Sequence, residues 1–298
     1  MYDGIINVYK EKGYTSFDVV AKMRGILGQK KVGHTGTLDP EAEGVLPVCA
    51  GKGTKLCDML TDHDKTYRAT LLLGTDTDTQ DTTGTVLAKK STEGLSEEAV
   101  REAILSFIGN YDQIPPMYSA LKVNGRKLCD LAREGIVVER KARPVTIYDI
   151  RIEEICLPEV VMTVSCSKGT YIRTLCHDIG EKLSVGGCMK TLLRTKVDRF
   201  LIEDSLTLAE LQKRKDEGRL SEAVLPIETV FASYGVIRAA EEGLDKLVRN
   251  GNPFRYTEKE DVADKAACRV YGREGQFIGV YEYSEEKRMF YPRKIFLG

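Results

Sequence analysis

The chain has 298 residues, 42% of them hydrophobic and 30% charged, a globular composition well away from the disordered range. No apolar run approaches the roughly 18 residues of a membrane span, and Met1-Tyr2-Asp3-Gly4 does not open a secretory signal, so a cytoplasmic location is expected. A net charge of −1 gives no global sign of a nucleic-acid binder.

Residues 4–9 read as a short strand, after which Thr15-Ser16 caps a helix carrying Val20, Met23 and Leu27 on one face. Residues 30–37 read as loop and 45–49 as a short apolar run. A segment rich in strand formers, 67–73, leads into the polar loop 74–81. Ser96 caps a helix that aligns Val100, Ile104, Phe107 and Ile108, with Gly109 at its C′ position. Strands are expected near 145–155 and 159–166. Thr170 then opens a helix whose buried stripe is Ile172, Leu175, Ile179 and Leu183, with Arg173 off that stripe in the first turn. Thr207-Leu208-Ala209-Glu210 is a capping-box pattern. A helix near 239–249 precedes hairpin-linked strands at 268–271 and 276–283, then two short strands at 289–290 and 294–296. The change of character near residue 232 predicts an α/β domain over 1–232 and a small β-barrel domain over 233–298.

The eight cysteines are scattered with no C-x-x-C pair, and Cys156, Cys166 and Cys176 each sit in an apolar segment. Core packing is expected of them, rather than a metal site or a disulfide. Charge is better patterned than its sum suggests. Lys122, Arg126, Lys127, Arg133, Arg140, Lys141, Arg143 and Arg151 crowd one stretch, while acids pool around Glu97-Glu98 and Asp261. Such a stretch is either a solvated face or a groove that tracks phosphates.

The unusual segment is Gly33-His34-Thr35-Gly36-Thr37-Leu38-Asp39-Pro40-Glu41-Ala42-Glu43-Gly44-Val45-Leu46-Pro47. Its glycines let backbone approach a ligand closely, and Pro40 holds Asp39 out of helical geometry. An aspartate in such a turn is either a turn cap or a reactive carboxylate. A phosphate-binding loop at Gly51-Lys52-Gly53-Thr54 is excluded, because Gly53 follows the lysine and the preceding glycine is misplaced.

This segment resembles the signature of the bacterial TruB family, the tRNA pseudouridine-55 synthases, with Asp39 at the position of the family's aspartate. Lys65-Thr66-Tyr67-Arg68-Ala69, followed by Leu73-Gly74-Thr75-Asp76-Thr77-Asp78-Thr79, resembles the second family motif. Ile114-Pro115-Pro116-Met117-Tyr118-Ser119-Ala120-Leu121-Lys122-Val123-Asn124-Gly125, with Leu131-Ala132-Arg133-Glu134-Gly135 after it, resembles an internal family segment. Ser167-Lys168-Gly169-Thr170-Tyr171-Ile172-Arg173-Thr174-Leu175, continued by Asp178-Ile179-Gly180, resembles the third motif. The likeness covers roughly residues 4 to 230 and extends more faintly over the C-terminal barrel, which looks like a PUA-type RNA-binding domain. Two departures stand out. Lys10-Glu11-Lys12-Gly13 replaces a Lys-Pro-x-Gly pattern, and Thr191-Leu192-Leu193-Arg194 lacks the basic residue usual at position 193.

The resemblance implies a mixed, largely antiparallel central sheet flanked by helices, and isomerisation of a tRNA uridine to pseudouridine. That reaction breaks the N1–C1′ bond, turns the uracil and joins C5 to the same sugar carbon, so no cofactor and no metal are expected. Asp39 would be the nucleophile, and attack at C6, attack at C1′ and assistance to a glycal-forming elimination all remain open. Arg173 would be its charge partner, with Asp81 on the other side of the guanidinium. Tyr67 would stack on the flipped-out base, a contact of roughly 1–3 kcal/mol. Tyr171 would be a hydrogen-bonding wall or a relay for the C5 proton, Leu192 would pack against the base, and His34 would wedge into the gap left in the RNA. The expected partner is the tRNA T-arm, with no membrane and no obligate protein partner, and a monomer is expected. Two rivals remain: a tRNA-binding or tRNA-folding protein without turnover, and a glycosidase pairing Asp39 with Glu41 or Glu43.

Overall fold

The computed structural model describes residues 1–256 and 263–297; Asp261, in one of the acidic pools, lies outside them. The chain begins with β1 (Gly4–Lys10), α1 (Ser16–Leu27), β2 (Val32–His34), β3 (Glu43–Ala50), α2 (Cys57–Thr61) and β4 (Lys65–Leu73). There follow β5 (Thr75–Thr77), β6 (Val86–Lys89), α3 (Glu97–Leu105), β7 (Gly109–Gln113), β8 (Lys122–Val123), β9 (Arg126–Lys127) and α4 (Leu128–Arg133). The larger, N-terminal part closes with β10 (Arg143–Cys156), β11 (Glu159–Cys166), α5 (Ile172–Lys182), β12 (Gly187–Val197), β13 (Phe200–Leu201) and α6 (Leu208–Asp216). The C-terminal part holds β14 (Gly235–Arg238), α7 (Glu242–Arg249), β15 (Ala267–Tyr271), β16 (Phe277–Ser284) and β17 (Met289–Ile295).

The main sheet runs β1-β3-β12-β4-β11-β10-β7, with β2 beside β3 and β13 beside β12. All of these pairings are antiparallel except β3–β12, a parallel contact through Leu193↔Glu43 and Arg194↔Gly44. That junction permits close approach only because residue 44 is glycine. It has φ +107, and a Cβ there would lie 2.2 Å from the Arg194 carbonyl oxygen. The mixed, mostly antiparallel architecture expected of the chain is therefore present.

Side-chain alternation divides the core around this sheet. Leu71, Val160, Met162 and Val164 pack under α3 and α5 through Val100, Ile104, Leu175 and Ile179. Ile6, Val8, Leu46 and Val48 pack against α1 and α6. Each fully buried Leu, Ile or Val contributes about 1.5–3 kcal/mol of burial free energy. Both α1 and α6 open with capping boxes, Thr15 with Asp18 and Thr207 with Glu210. A third cluster joins the main domain to the C-terminal sheet domain: Ile5, Phe200 and Phe231 meet Phe277, Val280 and Phe296. The C-terminal sheet, ordered β14-β15-β16-β17, has its own core around Phe254, Tyr281 and Phe290. Among the described residues no helix is long and apolar enough to cross a membrane.

Several local expectations need correction. Residues 32–34 form a strand on β3 rather than loop. The third helix stops at Leu105. Ser106 caps it, Phe107 packs back on the core, Ile108 is 43% exposed, and Gly109 begins β7 instead of closing the helix. Thr170 does not cap α5: Tyr171 occupies the N-cap, and the Thr170 hydroxyl donates to the Ser167 carbonyl. The two last short strands are one strand, β17, at the sheet edge, where Pro292 sits at a register shift and withholds no ladder bond from a further neighbour. Of the cysteines, five are buried, but Cys156 is exposed at the end of β10.

Candidate active site

Asp39 lies in the loop between β2 and β3, and three buried polar side chains fix that loop from below. The Ser16 hydroxyl, at the start of α1, accepts the Leu38 N–H at 2.9 Å. Lys10, fully buried at the end of β1, donates to the carbonyls of Ala42 at 2.5 Å and Pro40 at 3.1 Å. Burial pushes its ammonium down to about 8, against the pull of Glu43 and Asp39. Arg194, on β12, donates from Nε to the Val45 carbonyl at 2.7 Å and reaches the Thr37 and Gly36 carbonyls at 3.5 and 3.4 Å. These side chains take up the loop's Leu38 N–H and its carbonyls at 36, 37, 40 and 42, and the Asp39 side chain is left 41% exposed.

The carboxylate is not a turn cap. Its Oδ2 stands 3.0 Å from Arg173 Nε, and Arg173 itself is only 7% exposed. The arginine is fixed by donation from Nη1 to the Thr79 carbonyl at 3.0 Å and from Nη2 to the Tyr118 carbonyl at 2.9 Å. Asp81 Oδ2 lies 3.6 Å from Nη1. The other Asp81 oxygen accepts from the Thr79 hydroxyl and the Thr83 N–H, which holds the carboxylate toward the guanidinium. So Asp39, Arg173 and Asp81, from three separate segments, form one row with a buried cation between two anions. A position at the start of α5 suggests an exposed arginine; the loops carrying Thr79 and Tyr118 bury it instead.

Of the remaining residues of interest, Tyr67 and Tyr171 lie near enough to feel the Asp39 charge. Tyr171 immediately precedes α5, and its backbone is gripped by Gln113 of β7: the Gln113 carboxamide donates to the Tyr171 carbonyl at 3.0 Å and accepts its N–H at 2.8 Å. Tyr67 of β4 is 8% exposed and shares an apolar cluster with Leu38, Ala42 and the half-buried Leu192 of β12. Arg194 pairs with Tyr67 across the two strands, which sets the guanidinium and the phenol close enough to feel each other's charge. Burial raises both the Tyr67 and the Tyr171 hydroxyl, and the Asp39 charge adds to the effect. His34 ends β2, and its Nδ1 accepts the Gly36 N–H at 3.3 Å, tethering the glycine turn. Burial, then the Arg194 charge, lowers His34, so its imidazole is neutral at pH 7.

Glu41 and Glu43 do not join Asp39. Glu41 pairs with Lys12 at the surface, and Glu43 accepts from Tyr9. Leu193, which replaces a basic residue, lies half-buried on β12 opposite Arg68. Sequence reasoning did not single out Ser16, Lys10, Arg194 or Gln113. The available signal was a polar residue at an inward position of a strand or helix start. Part of the basic stretch is neutralised locally, Arg126 by Glu134 and Arg151 by Glu153, while Lys122, Lys127, Lys141 and Arg143 stand exposed. Among the described residues no cluster of His, Cys, Asp or Glu could hold a metal ion.

Known proteins place the chain in a class. Residues 24–172 match the family model of the TruB family pseudouridylate synthase N-terminal domain, and 173–232 match that of the tRNA pseudouridylate synthase B C-terminal domain. A tRNA pseudouridine synthase B from Lachnoclostridium phytofermentans is 52% identical, over 99% of this chain and 100% of that one. Its counterpart from Clostridium perfringens is 45% identical, over 95% and 96%. In fold, the chain is similar to a solved Cbf5-Nop10-Gar1 complex, with a TM-score of 0.72 and 25% identity over 99% of this chain and 85% of that one. The fold and its relatives thus define a pseudouridylate synthase, an isomerase. The chain belongs to the TruB family.

Proposed function

We propose that this chain converts a T-loop uridine of tRNA, uridine-55, to pseudouridine, with Asp39 as the reacting carboxylate. The observation that carries the reading is the half-exposed Asp39 set 3.0 Å from a buried arginine, on a loop held by Ser16 and Lys10 rather than by Asp39. A carboxylate so placed is free to act on the sugar or ring of an extruded nucleotide. Asp81 holds the far side of Arg173 and keeps the guanidinium aimed at Asp39. Tyr67 and Leu192 offer the apolar surface for the base. With its phenol raised by burial, Tyr171 stays protonated at neutral pH, which suits a hydrogen-bonding wall better than an acceptor for the C5 proton. His34, tethered to the glycine turn of the Asp39 loop, offers a neutral ring to enter the gap in the RNA.

The isomerisation conserves all atoms: the N1–C1′ bond breaks, the C5–C1′ bond forms, C5 loses its proton and N1 gains one. The exposed cations at 122, 127, 141 and 143 support contact with the T-arm phosphates. The sheet domain over 233–298 is read as a PUA-like RNA-binding unit on the catalytic domain 1–232, in a monomeric cytoplasmic enzyme. A tRNA-binding protein without turnover would have no use for the Asp39–Arg173–Asp81 row. The test is incubation of the chain with an unmodified T-stem-loop minihelix, followed by mapping of pseudouridine. Conversion at the T-loop uridine is expected; conversion only elsewhere, or none by the folded chain, would overturn the proposal.

A further inference from the structure

We infer that Arg194 is a positioning residue for the reaction: it staples the loop bearing Asp39 to the sheet, beside Tyr67, without touching RNA. The inference rests on the reading of Asp39 as the reacting group. Arg194 is 1% exposed, so no substrate contact is open to it. Its hydrogen-bond partners are three carbonyls, with no carboxylate among them. A buried cation without an anion is costly, and an apolar residue of similar volume fills a core better. Its charge also lowers His34 and Lys65, each of which is already pushed down by burial. Packing alone therefore does not account for a guanidinium here.

What a guanidinium supplies is reach in several directions from one rigid plane. Nε is anchored at 2.7 Å to Val45, the strand residue just after the loop. Nη1 and Nη2 extend to Thr37 and Gly36, just before Asp39, over longer contacts of 3.5 and 3.4 Å. One side chain so ties both ends of the loop together. The parallel β3–β12 junction, with Gly44 against the Arg194 backbone, holds the base of the staple. Tyr67 lies directly across the strand pair, so the loop and the base-facing ring share one reference point. Lysine has a single ammonium and cannot span these acceptors.

The experiment compares Arg194→Lys, Arg194→Met and Asp39→Asn with the unmodified chain in single-turnover assays on the T-stem-loop minihelix. RNA affinity and circular dichroism are measured in parallel. The expected result is folded Arg194 variants that bind RNA within about twofold of the parent, while the rate constant falls on the order of 10²-fold, the scale of a misplacement near 1 Å. The losses from Arg194→Met and Tyr67→Ala are expected not to add, because the two residues are paired directly across β12 and β4. Rates within about threefold of the parent, a loss confined to RNA affinity, additive losses, or variants that fold at no temperature would each overturn the inference. Full activity of Asp39→Asn would instead refute the role of Asp39. An inactive Asp39→Asn beside fully active Arg194 variants refutes the inference alone.

Discussion

Removing Arg173 tests whether the row at its centre is built as described. Arg173→Met deletes four contacts at once: Asp39 at 3.0 Å, Asp81 at 3.6 Å, and the carbonyls of Thr79 and Tyr118 at 3.0 and 2.9 Å. The Asp39 pair alone has a Coulomb energy of about 5–6 kcal/mol at an effective dielectric near 20, but Asp39 is 41% exposed and water screens most of it. The larger loss comes from the buried side. Asp81, 15% exposed, and two carbonyls lose their cation, and breaking such a pair costs about 3–5 kcal/mol. Asp39→Asn, by contrast, leaves Arg173 its other three partners and costs less than about 1 kcal/mol. Guanidinium denaturation of the full chain measures both. A loss below about 1 kcal/mol for Arg173→Met, or equal losses for the two variants, would refute the reasoning.

Gln113→Ala strips the Tyr171 N–H and carbonyl of their shared partner. We expect a stability loss of about 1–3 kcal/mol and slower product formation, read by denaturation and single-turnover assay. Glu153 is pulled down to about 2, first by the hydrogen bond from Arg68 and then by that from Thr163. Its stabilisation is therefore complete above the unfolded value of 4.5 and fades as pH falls through about 2. The advantage of the parent over Glu153→Gln is expected to be about 1 kcal/mol or less near neutrality and to vanish toward pH 2 in acid-unfolding curves.

Much of the architecture was legible because it is local. Thr207 with Glu210, the Val20–Met23–Leu27 stripe and the alternation from 159 to 166 each specify an element without help from distant residues. Errors fell where tertiary packing decides. The three residues 32–34 become a strand only because β3 lies alongside, and Phe107 leaves its helix to meet Tyr111 at 5.2 Å between ring centroids. The two short strands expected at 289–290 and 294–296 are one, because an edge strand tolerates Pro292 at a bulge. In the site, Asp39, Arg173, Asp81 and the two tyrosines came from resemblance, since no periodicity pairs residues 39 and 173. The structure puts Asp39, Arg173 and Asp81 in one row. Lys10, Ser16, Gln113 and Arg194 escaped notice because their work is on backbone carbonyls and N–H groups of other segments, which leave no mark in a linear pattern.

In the proposed reaction one carboxylate performs the chemistry while the rest of the molecule holds it and the RNA in place. Asp39→Asn keeps the size of the side chain and removes the charge. Assayed on the T-stem-loop minihelix, it is expected to yield no pseudouridine while binding the RNA within about twofold of the parent. Product formation at the parental rate would contradict the account.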